Sequence, residues 1–400
     1  MSLLTIEEPA PPPHFPPWSG RHALWALGFR PFYLLAALLA LIAIPVWLAR
    51  YLGWSTALPG ITLGWHMHEM VFGFATAVVV GFLFTAGRAW TGIWTPRGQH
   101  LAALALLWCA GRAAMLTGPA WLAALIDLAF LPLAAWSMYR VLDQAGNQRN
   151  MFLVGLLGLL TVANGIFHAA AMQWLAVSEV APMQAGILLI VLIETVIGGR
   201  VIPMFTNNGV PGAKTLVLPL NDKIAMALVV AAVAGWVAGV PGPLMAALAF
   251  IAASASAIRL AGWKSHLTAR VPLLWILHLS YAWIPLGFVL LGMAALGFGT
   301  ASTAFHALAV GSMAGLIVGM MTRTTLGHTG RKLATGRAEP VMYALIQAGA
   351  VARVAAGLAP PEWRNGALVL AGACWSLSFA LFLLVYAPYL WRARIDGKDG

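Results

Sequence analysis

The stretch WHMHEMVFGFATAVVVGFLFTAG, residues 65–87, decides the fold class. After its first six residues, which include two histidines and a glutamate, nearly every side chain is apolar or small. A hydrocarbon layer roughly 30 Å thick is crossed by about 20 such residues in a helix. Inside lipid the backbone must satisfy its own hydrogen bonds, so a helix is expected. The stretch therefore predicts a transmembrane helix that carries ionisable side chains at one end.

The same composition extends over the whole chain, which is 61% hydrophobic and 9% charged, with a mean hydropathy of +0.85. We predict an all-α, polytopic integral membrane protein with a single transmembrane domain over residues 28–391. The Pro-rich segment 1–27 is expected to be a disordered cytoplasmic tail rather than a signal peptide, and residues 392–400 a cytoplasmic C-terminal tail. The apolar runs predict twelve helices at residues 28–50, 66–90, 98–117, 120–142, 150–173, 183–205, 221–240, 242–262, 271–295, 300–323, 341–358 and 366–391.

The positive charges predict the orientation. With both termini inside, all but four of the 23 Lys and Arg residues fall on the cytoplasmic side, and the exceptions are Arg50, Arg112, Arg353 and Arg364. This bias is the positive-inside pattern, and it accounts for the net charge of +11 without a nucleic-acid partner. The lipid bilayer is therefore the expected surrounding.

Histidine is the residue type that could hold a metal. The two cysteines, Cys109 and Cys374, lie inside predicted helices and are interpreted as small apolar fillers. No CxxCH or CxxC motif and no phosphate-binding loop occurs.

Apart from His100, at the cytoplasmic start of the predicted helix 98–117, five of the ten histidines lie within predicted helices. Ionisable groups in a membrane favour a functional role, with a structural hydrogen bond as the alternative. Neutral imidazole commonly binds haem iron and copper. The outer ends of three helices carry four of these histidines, which predicts a metal or haem site at that depth, whereas the fifth lies nearer the inner side. The four are His66, His68, His168 and His306, and the fifth is His278.

His66 and His68 should serve different partners. Residues i and i+2 are roughly 200° apart around a helix, so the two rings point to opposite sides. The partners could be two cofactors, or one cofactor and one structural acceptor. Glu69 could orient His66, or its charge could simply favour the helix N-terminus.

An internal repeat links His68 to His306. Residues 68–81 (HEMVFGFATAVVVG) and 306–319 (HALAVGSMAGLIVG) share the pattern H-x4-G-x7-G. Two helices of the same direction thus carry a histidine at one depth and glycines below it. Glycine lets a neighbouring helix or a flat macrocycle approach closely. We therefore expect His68 and His306 to be axial haem ligands, leaving His66, His168 and His278 for a second haem or copper.

Two further polar features lie within the predicted helices. Arg112 and Asp127 flank a tight hairpin at similar depth, which indicates a structural ion pair. Glu194 lies near the middle of the sixth helix, where a proton relay and a structural acceptor are both open interpretations.

The sequence resembles one known family. Its blocks GFRPFYLLAAL (28–38), WHMHEMVFGF (65–74), NGIFHAA (164–170), GGRVIPMFTNN (198–208) and HALAVGSMAGLIVGMMTRTTLGHTGR (306–331) are similar to the NnrS family over nearly the whole chain. The resemblance implies a bacterial inner-membrane protein with haem b and copper, associated with denitrification and nitric oxide stress. It assigns no individual ligand.

Two functions remain open at this stage. A redox protein resembling nitric oxide reductase would bind nitric oxide near the periplasmic face and could reduce it, with electrons from quinol or a periplasmic redox protein. Haem–copper oxidases also take haem ligands from their second and tenth helices, but this chain lacks the histidine pair of their seventh helix. A transporter or sensor that binds metal is the alternative, which the same-direction repeat disfavours because transporters often have inverted repeats.

Overall fold

The computed structural model describes residues 16–400, and every regular element in that range is helical. Twelve helices are long and apolar enough to cross a membrane, which confirms the predicted all-α, twelve-helix membrane fold. They are α1 (Phe29–Tyr51), α2 (Leu63–Thr91), α3 (Gln99–Thr117), α4 (Ala120–Gln144), α5 (Gln148–Ala171), α6 (Val180–Gly209), α7 (Pro219–Val237), α8 (Gly242–Gly262), α9 (Pro272–Ala295), α10 (Ala301–His328), α11 (Ala338–Leu358) and α12 (Pro361–Trp391).

Local chemistry sets the ends of these helices. Proline occupies the first turn of α7, α9 and α12. Proline has no backbone N–H, and at this position an N–H would have no hydrogen-bond partner within the helix, so no helical hydrogen bond is lost. Gly92 ends α2 in the left-handed conformation with φ +73°. Thr62 and Thr300 cap α2 and α10, because each hydroxyl accepts a hydrogen bond from the backbone N–H three residues on.

The two helices of the internal repeat are also matched in shape. In α2 an α-helical turn, Leu63–His68, leads into a π-helical stretch, Glu69–Ala75. In α10 the corresponding segments are Ala301–His306 and Ala307–Ala314. Each stretch starts directly after the repeat histidine, and the threonine cap precedes that histidine by six residues in both helices. Wide turns of this kind are rare and often lie at functional sites.

These two helices form the centre of the bundle. In the most apolar segment of α2, 89% of the residues are buried, and in that of α10, 78% are buried. In the corresponding segments of α3 and α7 only 28% are buried. Helix α6 packs against both central helices, and α1 does the same from another side. The lipid-facing positions therefore belong mainly to the outer helices, and polar groups on α2 and α10 are shielded from lipid.

The repeat glycines bring neighbouring helices into close contact. A Cβ at Gly81 would lie 3.0 Å from Cβ of Phe32 on α1, and one at Gly319 would lie 2.8 Å from Leu277 on α9. A Cβ at Gly311 would overlap the indole of Trp283. The space beside each of these glycines is filled by a side chain of a neighbouring helix, so the glycines serve helix packing.

The terminal segments lie against the face that carries most of the positive charge. The predicted tail 1–27 falls partly outside the described residues, and within its described part Trp25 O accepts a hydrogen bond from Gly98 N at 2.7 Å. The C-terminal segment returns over α10, where Arg394 Nη1 donates to His328 O at 3.1 Å. The hydrogen bond from Arg394 holds the pKa of the Asp396 carboxyl well below its usual range.

Candidate metal-binding site

The ring of His68 is fully buried and faces oxygen atoms on both sides. Its Nδ1 lies 3.2 Å from Oε1 of Glu69, and its Nε2 lies 3.1 Å from Oδ2 of Asp127 and 3.0 Å from Oδ1 of Asn164. A neutral imidazole donates through one nitrogen only. A doubly protonated ring, or a cation bound at one nitrogen, would satisfy both sides.

Helices α3, α4 and α5 complete this cluster, which we call the acidic cluster: Glu69, His68, Arg112, Asp127, Asn164 and His168. Oδ2 of Asp127 accepts a hydrogen bond from Asn164 Nδ2 at 2.7 Å and lies 3.1 Å from Nε2 of His168. Asn164 and His168 are one turn apart on α5, so both side chains reach the same carboxylate.

Arg112 balances part of the negative charge. It donates to Oε1 of Glu69 at 2.7 Å and pairs with Asp127, which confirms the predicted Arg112–Asp127 ion pair. With neutral imidazoles, two carboxylates face one guanidinium, and the acidic cluster keeps one formal negative charge. Oε2 of Glu69 is buried and has no hydrogen-bond partner among the described residues. A buried, uncompensated charge is costly unless a cation joins it.

The donor atoms of the acidic cluster are spaced for a metal ion. One ligand atom from each of His68, Asp127 and His168 lies within 4.8 Å of the others, and all three side chains are buried. Two imidazoles and a carboxylate suit copper, iron or zinc, whereas thiolate-seeking centres have no cysteine here. The spacing and chemistry of these donor atoms are therefore suited to holding a cation.

A second group, which we call the outer pair, consists of His66 and His306. Nδ1 of His306 lies 2.7 Å from Ser302 O and 3.1 Å from Nη2 of Arg353. In the tautomer with the proton on Nδ1, that nitrogen donates to Ser302 O and the lone pair is on Nε2, the usual arrangement of a metal-binding histidine. His66 stacks on Trp47 with ring centroids 5.0 Å apart, and its buried Nδ1 has no partner in the described part of the chain.

The guanidinium of Arg353 lies directly beside the outer pair, in contact with the ring of His306. No carboxylate pairs with Arg353 among residues 16–400. The outer pair therefore has a positive surplus, in contrast to the acidic cluster, and is suited to a cofactor that carries its own negative groups.

The structure gives His68 and His306 different protein neighbours, and their pairing on one haem stays a prediction. The two rings have no hydrogen-bond partner in common, since His68 faces α4 and α5 and His306 faces α11. His66 and His68 do have separate partners, as their spacing predicts. The expected notch for a macrocycle at Gly311 is filled by Trp283. A porphyrin clamped over the repeat glycines therefore does not fit this arrangement.

The carboxylate of Glu69 does not contact His66, which it was expected to orient. The carboxylate lies against His68 and Arg112 instead. Glu69 begins the π-helical stretch, whose wider turn changes the angular spacing on which that expectation rests.

The family assignment agrees with this geometry. A family model described as NnrS protein matches residues 23–394. The chain belongs to the NnrS family. No curated protein matches the chain. Together with the twelve helices, the assignment describes a multi-pass membrane protein whose family is associated with metals.

Two other predicted residues lie apart from both groups in this NnrS-family chain. Glu194 on α6 accepts a hydrogen bond from Ser312 Oγ at 2.6 Å, and Ser312 belongs to the π-helical stretch of α10. Nε2 of His278 lies 2.8 Å from Oγ1 of Thr206, and the ring is near Trp263. Glu194 thus touches the central helix below His306, whereas His278 has a local structural partner.

Sequence reasoning missed Asn164 and Arg353 and gave Asp127 only a structural role. The spacing Asn164-x3-His168 was a usable signal, because residues one turn apart share a helix face. Arg353 carried a weaker signal, since it is one of the few positive residues on the predicted outer side.

Proposed function

We propose that this chain is a metal- and haem-binding protein of the bacterial inner membrane that binds nitric oxide near the periplasmic face and reduces it. The observation that carries the proposal is the acidic cluster, in which two histidines and an aspartate are buried within 4.8 Å of one another with one uncompensated negative charge. Its position in a family associated with metals supports the same function.

The contrast in charge supports different cofactors for the two groups. The acidic cluster would hold copper through His68, His168 and Asp127, because a bare cation neutralises its negative charge. The outer pair would hold haem b through His306 Nε2 and His66, with Arg353 beside the propionates. Haem and copper, when bound, would supply the sites that take the gas and exchange electrons.

The chain itself would supply orientation and protons. Ser302 would fix the ring position of His306 through the contact between its carbonyl oxygen and Nδ1, and Asp127 would share the cation with His168. Glu194 would hold a proton on its carboxyl group, which contacts Ser312. Ser312 belongs to the π-helical stretch that directly follows His306. Electrons would come from quinol or a periplasmic redox protein.

Absorption spectra and metal analysis of the intact purified protein test the proposal. The protein, made in cells supplied with haem and copper, should show a Soret band that shifts with nitric oxide and should contain stoichiometric copper. His306→Ala should lose haem and keep copper, whereas His168→Ala should lose copper and keep haem.

His278→Ala is the matched control, because that buried histidine lies with Thr206 and Trp263 and belongs to neither group. It should keep both cofactors. A colourless, copper-free wild-type protein would contradict the proposal, and so would equal loss of both cofactors in His306→Ala and His168→Ala with His278→Ala intact.

A further inference from the structure

A cavity of about 640 Å³ opens between α3 and α4, beside the connection 92–98 that follows α2. It lies at the face where Lys and Arg are concentrated, the predicted cytoplasmic side, far along these helices from the acidic cluster. Its floor is apolar and its rim is basic and aromatic. The floor includes Leu104, Leu107, Leu133 and Val141, and the rim includes Trp94, Arg97, His100, Trp136 and Arg140.

The two arginines at the rim are available to a ligand. Arg97 and Arg140 are both exposed, and neither forms an ion pair with a carboxylate in the described residues. Arg97 lies 4.3 Å over the ring of Trp94, which fixes its direction. The rim therefore offers two cations held at the level of a membrane interface.

The floor of the cavity is open to the lipid side. Leu133 is 47% exposed and Trp136 is 59% exposed, so apolar surface continues from the cavity to the outside of α4. Trp136 stacks on Tyr139 at 5.4 Å, an amphipathic aromatic pair of the kind that lies at headgroup level. A ligand that enters here meets apolar side chains and arginines at once.

A smaller polar cavity of about 420 Å³ adjoins the first, and the two share Arg97 and His100. Gln99 and Ser19 line its other side. The basic rim thus leads in one direction to an apolar floor and in the other to a hydrogen-bonding compartment.

We infer that this cavity binds an anionic phospholipid of the inner leaflet. An acyl chain lies on the floor between α3 and α4, the phosphate meets Arg97 and Arg140, and the polar headgroup enters the smaller cavity. Basic pockets between transmembrane helices on the cytoplasmic side recognise such headgroups. Free phosphate shares the arginine contacts but makes no use of the apolar floor.

Native mass spectrometry of the full-length protein in detergent tests this site, with phosphatidylglycerol and phosphatidylcholine as probes. Phosphatidylglycerol should be retained preferentially. Each arginine near a membrane surface contributes about fivefold to the affinity for anionic lipid, so Arg97→Gln with Arg140→Gln should lower retention by about 25-fold. Arg97→Lys with Arg140→Lys keeps both charges and should keep most of the preference.

The control is Arg149→Gln with Arg270→Gln, which removes the same charge from exposed positions at the same face outside both cavities. It should retain phosphatidylglycerol like the wild type. Equal retention by the two glutamine variants would overturn the inference. Equal binding of both lipids, displacement of the lipid by millimolar inorganic phosphate, or loss of a quinone in place of phospholipid would overturn it as well.

Discussion

Replacing Asp127 by Asn tests the acidic cluster most directly. The substitution keeps the shape of the side chain but removes the charge that faces Arg112, His68 and His168. It also replaces one acceptor oxygen by an amide N–H₂, which would face donors. The change therefore affects both the metal-binding capacity and the internal balance of the cluster.

The structure sets the expected size of both effects. The Asp127 side chain is only 3% exposed, and removing one partner of a buried ion pair costs about 3–5 kcal/mol of stability. Loss of a residue that merely supports a metal ligand lowers metal affinity about 10–100-fold. Because Asp127 would be a ligand itself, we expect its loss to lower copper affinity at least about 100-fold.

The assay is a competition titration with a copper chelator on purified protein, together with thermal unfolding. Asp222→Asn is the matched control, because Asp222 accepts a hydrogen bond from Arg259 Nε at 2.6 Å in a partly buried ion pair. Its side chain is 24% exposed and forms no ion pair with a histidine in the described part of the chain, so stability should fall less and copper affinity should stay unchanged.

Unchanged copper affinity in Asp127→Asn would refute the metal site and leave the acidic cluster a structural network. An equal loss of affinity in both Asp→Asn variants would point to general unfolding instead. A selective loss in Asp127→Asn is the outcome that the geometry requires.

Three further predictions concern Glu194, helix packing and orientation. Glu194→Gln should keep haem and copper but slow nitric oxide turnover in a gas-electrode assay, and loss of haem would instead mark the contact with Ser312 as structural. Gly311→Ala should lower the free energy of unfolding by about 1–3 kcal/mol through overpacking against Trp283, seen as a lower melting temperature, whereas Gly155→Ala, with no atom within 4 Å of its Cβ, should not. A reporter fused after Gly336 should report the cytoplasm, and the opposite result would reverse the predicted depth of both groups.

The sequence by itself determined the twelve helices and the special character of two of them. Helix number follows from apolar length alone, since each span must cross the same hydrocarbon layer. The match between residues 68–81 and 306–319 identified the two helices that now form the buried centre, with the same threonine cap and π-helical stretch. The spacing of His66 and His68 also agrees with the different protein neighbours of the two rings.

Only the tertiary structure decided which side chains meet. Most of the twelve helices are apolar around their whole circumference, so the sequence pattern does not say which face turns inward. That rotation is set by close contacts such as Gly81 with Phe32 and Gly311 with Trp283. In the packed bundle His68 faces Asp127 and His306 lies beside Arg353. The depth of the two histidines in the membrane is similar, so depth alone does not predict that their partners differ. The partners of each histidine lie on helices distant in sequence, and their convergence is a property of the packed bundle.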